Sequence, residues 1–131
     1  CGHLGLMPQS IHQLGAYRVQ GRGDHEGERI LKDAVGLQKA GAQMLVLECV
    51  PALLAAEITR ALDIPVIGIG AGVDVDGQVL VLHDMLGITT HGTPSFVRDF
   101  LAEEGTVAAA LSAYVHAVRA ETFPAEEHTF K

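Results

Sequence analysis

The sequence has no tryptophan, few aromatic residues and only two cysteines, so neither aromatic clusters nor disulfides are its main means of building a core. Cys1 and Cys49 are too few for a disulfide framework, and with Cys49 inside an apolar run both read as ordinary thiols. Positive charge is also scarce: 9 Lys and Arg stand against 16 Asp and Glu, and no basic cluster occurs. That balance argues against a surface for nucleic acid or for an anionic membrane. No apolar run approaches the roughly 20 residues needed to cross a bilayer, and no basic-then-apolar leader opens the chain. The reading is a cytoplasmic protein that takes small ligands. What is abundant is Val, Leu, Ile and Ala, within a hydrophobic share of 48% over 131 residues, which suits an α/β fold. The length fits one domain over residues 1–131, or half of a larger one.

Short apolar runs place strands at about 1–4, 44–50, 66–69 and 79–82, each ending in Gly, Glu, His or Asp. Runs of this length without polar alternation fit parallel strands buried on both faces by helices. Between them, Ile30, Leu31, Ala34, Val35 and Leu37 recur at helical spacing over 26–40, with acids early, Lys39 late and Gly41 to end the helix. A second helix is predicted over 51–62, with Leu54, Ile58 and Leu62 on one face. Thr93 and Pro94 read as an N-cap and first helical residue, followed by an apolar stripe of Phe96, Val97, Phe100 and Leu101, with Gly105 closing. A last helix over 106–119 carries Val107, Ala110, Leu111, Tyr114, Val115 and Val118 on one side. The charged tail 121–131 is expected to dock through Phe123 and Phe130.

The segment 11–27 has four glycines and no sustained period, which predicts a long loop, and 17–22 within it is a candidate lid. Its Arg22-Gly23-Asp24 reads as loop chemistry rather than as a cell-adhesion ligand. Gly68-Ile69-Gly70-Ala71-Gly72 is a poor dinucleotide fingerprint, because turn residues and another apolar run follow it instead of a helix. A glycine turn at a strand end is the better reading.

Glu48 closes the apolar run 44–50 just before the turn-forming Pro51. In α/β sheets and barrels the carboxyl ends of parallel strands are where ligands bind, so a carboxylate there is a site candidate; the alternative is a Glu that caps or pairs near the surface. His83 and Asp84 are placed at another strand end, where neighbours face opposite ways and make no ready metal site. His12, His25, His91, His116 and His128 lack ligand spacing. Four parallel strands with covering helices are half of an eight-stranded (β/α) barrel, or a small open sheet.

Six stretches in register carry a specific resemblance: Gly2-His3-Leu4-Gly5-Leu6 with Pro8-Gln9-Ser10; Tyr17-Arg18-Val19-Gln20-Gly21-Arg22; Leu45-Val46-Leu47-Glu48-Cys49-Val50-Pro51; Ile64-Pro65-Val66-Ile67-Gly68-Ile69-Gly70-Ala71-Gly72; His83-Asp84 with Leu86-Gly87; and Phe123-Pro124-Ala125-Glu126-Glu127-His128. Together they resemble the ketopantoate hydroxymethyltransferase family over essentially the whole chain. The resemblance implies a (β/α)8 barrel of which this chain is the carboxyl half, in a homo-oligomer. It implies transfer of a one-carbon unit from 5,10-methylenetetrahydrofolate to 3-methyl-2-oxobutanoate, giving 2-dehydropantoate for pantothenate biosynthesis, with Mg²⁺ at the keto acid. Glu48 matches the family's general base and His3 an active-site histidine. A partly desolvated carboxylate suits the removal of a proton next to a ketone.

The family's metal-binding aspartates, and a lysine and a glutamate near the keto acid, lie on the first four strands of the barrel, outside this sequence. The expectations are therefore no metal site in these residues, a chain that is part of a longer product, and no activity from the 131 residues alone. A half barrel exposes two strand edges, which would pair with the missing half or another copy. The competing readings are a related barrel enzyme acting on phosphoenolpyruvate-like or 2-oxo acids, and a truncated structural or oligomerisation module.

Overall fold

The computed structural model describes residues 1–7, 19–90 and 92–131. Among them four strands, β1 (Gly2–Gly5), β2 (Leu45–Glu48), β3 (Val66–Ile69) and β4 (Gly77–Gln78), form one sheet in chain order, with every neighbouring pair parallel. Two helices supply the first crossovers. Helix α1 (Asp24–Lys39) runs between β1 and β2, and α2 (Ala52–Ala61) between β2 and β3. Acids in the first turn of α1 and Lys39 in its last complement the helix dipole. Gly41 then adopts φ 99° and donates its N–H to the Gln38 carbonyl, ending the helix.

Side chains alternate across each strand, so the register decides which residues share a face. Leu4, Leu45, Leu47 and Val66 lie on the outer face, where Ile30 and Ala34 of α1 and Ala55 and Ile58 of α2 bury them in one apolar core. His3, Val46, Glu48, Ile67 and Ile69 share the inner face. Only its carboxyl end is covered, by a second core that includes Phe96, Phe100 and Phe123. Helices α3 (Leu82–Met85), α4 (Phe100–Glu104) and α5 (Val107–Arg119), and a 3₁₀ turn at Glu126–His128, complete the described elements. Tail residue Phe123 is buried edge-on against Phe100 and Tyr114, as the sequence led us to expect.

Several expectations are corrected. Residues 79–82 are not the fourth strand: β4 is Gly77–Gln78, and Leu82–Met85 is a helix carrying His83 and Asp84. A four-residue apolar run fits either state, and the close of the β3 connection decided it. No helix covers that connection. The stretch 70–76 returns to the start of the sheet unaided, where the Asp76 carboxylate accepts the Val66 N–H at 2.8 Å. Seven extended residues reach ~24 Å, ample to pass back along a strand of ~13 Å.

Thr93-Pro94 do not open a helix. Pro94 makes a turn closed by the Val97 N–H, and α4 starts after Asp99, whose Oδ1 accepts the Ala102 N–H at 2.9 Å. Helix α1 begins two residues earlier than the periodicity indicated, so 24–27 are helical; of the loop expected over 11–27, residues 11–18 lie outside the described residues. On α5, Ala110, Ala113, Tyr114, Ala117 and Val118 meet the core, whereas Val107, Leu111 and Val115 are exposed, because α4 and the tail cover only one flank. Helix α2 and strand β3 fall within a residue of expectation.

Candidate active site

The sheet register brings together two residues 45 positions apart. Gly5 pairs with Glu48 and His3 with Val46, so the His3 and Glu48 side chains are diagonal neighbours on the inner face. His3 Nε2 lies 3.1 Å from Glu48 Oε2. Gly5 has φ 87°, and a Cβ there would sit 2.1 Å from the Glu48 backbone carbonyl oxygen, so no other residue fits beside that strand end. Burial pushes the Glu48 carboxyl above its ordinary proton affinity; the facing charge and hydrogen bond of His3 offset part of that rise.

Cys49 follows in the left-handed region at φ 52°, a conformation that costs a side-chain-bearing residue about 1–2 kcal/mol. Both of its backbone groups are engaged: its N–H donates to Ile69 and its carbonyl accepts from Gln20, each at 2.9 Å. This clamp turns the chain sharply between Glu48 and α2 and orients the end of β2. Burial, and then the Glu48 charge, push the Cys49 thiol up to about 12, so it stays protonated and is not a nucleophile.

Glu48 opens into a cavity of about 710 Å³ beyond the carboxyl ends of the strands. Leu6, Cys49 and Ile69 line it from the strand ends, and Phe96 and Phe130 line it beside them, edge to face with centroids 6.1 Å apart. Gly70, at φ 61°, lets Phe96 close in, since a Cβ there would lie 2.8 Å from the ring. The Phe130 carbonyl accepts the Ala52 N–H at 3.1 Å, which both caps α2 and fixes the tail against the cavity. Asp84 of α3 also lines the cavity, and its Oδ1 accepts the Thr89 hydroxyl.

Glu48 and His3 are thus in contact, one at the cavity wall and one behind it. His83 is exposed on α3 and is not part of the cavity lining. The segment 17–22, read as a lid, lies partly outside the described residues; its described part brings Val19 to the cavity and Gln20 to Cys49. Sequence reasoning did not place Cys49, Asp84, Phe96 or Phe130 at the cavity. The one available signal was the pair of tail phenylalanines, which pointed to docking but not to its destination. Among the described residues, no group of three or more His, Cys, Asp or Glu could hold a metal ion. No helix among them is long and apolar enough to cross a membrane.

The sequence model of a family described as ketopantoate hydroxymethyltransferase matches residues 1–126. A 3-methyl-2-oxobutanoate hydroxymethyltransferase of Marinobacter nauticus is 59% identical over 131 residues, which is 100% of this chain and 50% of that relative. One of Edwardsiella ictaluri is 60% identical over 130 residues, covering 99% of this chain and 49% of the relative. A third, of Shewanella denitrificans, is 55% identical over 129 residues, 98% of this chain and 49% of the relative. The chain spans about half the length of the curated relatives it matches.

Proposed function

Because the chain belongs to the ketopantoate hydroxymethyltransferase family, we propose that it supplies half of a (β/α)8 barrel whose complete form moves a one-carbon unit from 5,10-methylenetetrahydrofolate to 3-methyl-2-oxobutanoate. Glu48 is the general base of that reaction. One observation carries this reading: a carboxylate with raised proton affinity stands at a strand end, opens into a cavity and is held by His3 at 3.1 Å. The inner face left half-covered by these residues supports the half-barrel, since parallel sheets bury both faces.

The substrate must lose the proton on the carbon next to its ketone. A carboxylate in water is too weak a base for this, and partial burial makes Glu48 a stronger one. The proton passes to Glu48 and leaves an enolate on carbon. Water adds to the donor's methylene carbon and both of its C–N bonds break, releasing formaldehyde while the two water hydrogens go to the folate nitrogens to give tetrahydrofolate. The enolate carbon then adds to the formaldehyde carbon, whose oxygen takes the proton back from Glu48, and 2-dehydropantoate results. His3 positions Glu48 through Nε2 and keeps its carboxylate ionised in the resting state.

The described residues do not fit a metal site, so no step here runs through Mg²⁺; its ligands are assigned to the part of the relatives' length that this chain does not span. A cytoplasmic homo-oligomer remains our expectation for the complete enzyme. The test joins the chain to that remaining part and follows 2-dehydropantoate formation. Turnover is expected from the assembly and not from the 131 residues alone. Calorimetry of Glu48→Gln should show keto acid binding retained with turnover lost. Turnover by the isolated chain would overturn the half-barrel reading, and full turnover by Glu48→Gln would remove the base.

A further inference from the structure

Resting on the proposed reaction, we infer that the part of the cavity bounded by Asp84, Phe96 and Phe130 is the subsite for the pteridine head of the one-carbon donor, with Asp84 receiving the head's paired N–H groups. Size is the first argument. The cavity of about 710 Å³ is far larger than a five-carbon keto acid needs, and pockets of about 300–1,000 Å³ take ligands of drug size. A second, larger molecule belongs beside Glu48.

Charge decides which molecule meets Asp84. The described lining holds two carboxylates, Glu48 and Asp84, and no Lys or Arg. An anionic keto acid is repelled by a second carboxylate, so Asp84 is no part of its subsite. An ionised carboxylate only accepts hydrogen bonds and has two oxygens in one plane. The 2-amino group and adjacent ring N–H of a pteridine present two donors side by side, which is the complementary pattern. Asp84 is already oriented for such a partner. Its Oδ1 takes the Thr89 hydroxyl, while among the described residues its other oxygen accepts no hydrogen bond.

Shape agrees with this assignment. Phe96 and Phe130 meet at an interplanar angle of 75°, so a flat heterocycle can lie on one ring and against the edge of the other. Both rings are held from behind, Phe96 against Gly70 and Phe130 through its carbonyl on α2. The head then lies against these two rings, with its donor edge at Asp84.

Calorimetric titration of the complete enzyme with tetrahydrofolate, and separately with 3-methyl-2-oxobutanoate, tests the assignment. Asp84→Asn should raise the Kd for tetrahydrofolate at least tenfold and leave that for the keto acid within twofold; the unchanged keto acid affinity also reports that the variant is folded. Thr89→Val, which removes only the support, should give a smaller rise of about threefold. Wild type should prefer 2-amino-4-oxopteridine over 4-oxopteridine, and Asp84→Asn should lose that preference. Unaltered tetrahydrofolate affinity in Asp84→Asn, or a preserved preference for the 2-amino compound, would overturn the subsite while leaving the proposed reaction intact. A wild-type enzyme that binds keto acid but no tetrahydrofolate would remove the donor and the subsite together.

Discussion

Leu45, Leu47 and Val66 on the outer face of the sheet are completely shut off from solvent, whereas the residues that follow two of them, Val46 and Ile67 on the inner face, are only half-buried. The backbone is common to both faces; what differs is the cover. Two amphipathic helices from this chain close the outer face, and the inner face is roofed only beyond the strand ends, by Phe96 and the tail. The outer face is thus finished within this sequence and serves stability. The inner face carries the His3 and Glu48 pair, a glycine cleared for the Glu48 backbone carbonyl and a strained Cys49, features of the kind that give up stability where a site is built.

The largest effect expected from breaking this division is at Glu48. In the complete enzyme Glu48→Gln should reduce turnover about 10²–10⁴-fold, the usual worth of a positioned base. It should not lower the melting temperature at neutral pH. Glu48 has a raised folded-state proton affinity, so its contribution to stability is fully present below its ordinary value of 4.5 and is lost as pH rises through the folded value. The melting temperature of the glutamine variant relative to wild type should therefore climb with pH. A relative melting temperature that falls with pH would show that the carboxylate is a structural asset and blur the two faces.

Next comes Leu47→Ala on the outer face. Truncating a wholly buried leucine should cost about 2–5 kcal/mol in denaturant unfolding while the folded fraction keeps its turnover per molecule. A comparable specific loss of activity would mean that the outer face also shapes the site. His3→Gln should have a smaller effect, about tenfold in turnover, on the scale of one charge-assisted hydrogen bond. Since His3 lowers the Glu48 proton affinity, its loss should move the acid limb of the pH–rate profile to higher pH. An unmoved limb would separate the histidine from the base. The smallest change should be Leu53→Ala. That side chain on α2 is 86% exposed, so less than about 0.5 kcal/mol is expected, and a larger loss in the complete enzyme would reveal a contact on the outer surface.

Helical periodicity was enough to locate α1 and α2, because an apolar stripe at 3.6-residue spacing is a property of the segment itself. Strand β3 was equally plain, as a β-branched run between Pro65 and Gly70. Residues 79–82 carry no such signal, because Val79, Leu80, Val81 and Leu82 are compatible with a strand or a short helix, and the choice followed from how far 70–76 had already carried the chain. Asp99 was overlooked as a cap for a similar reason: Thr93-Pro94 is the stronger local signal, and the packing of Phe96 against Gly70 overrides it.

By itself the sequence determined an α/β chain, the strand-end position of Glu48 and the family to which both belong. These rest on local periodicity and on motifs read within single segments. Tertiary structure alone decided that His3 meets Glu48, that a tail phenylalanine walls the cavity and that Asp84 lines it. Each of those contacts joins residues far apart in the chain, and their geometry follows from sheet register and from the order in which apolar surfaces are buried, neither of which is carried by any one segment.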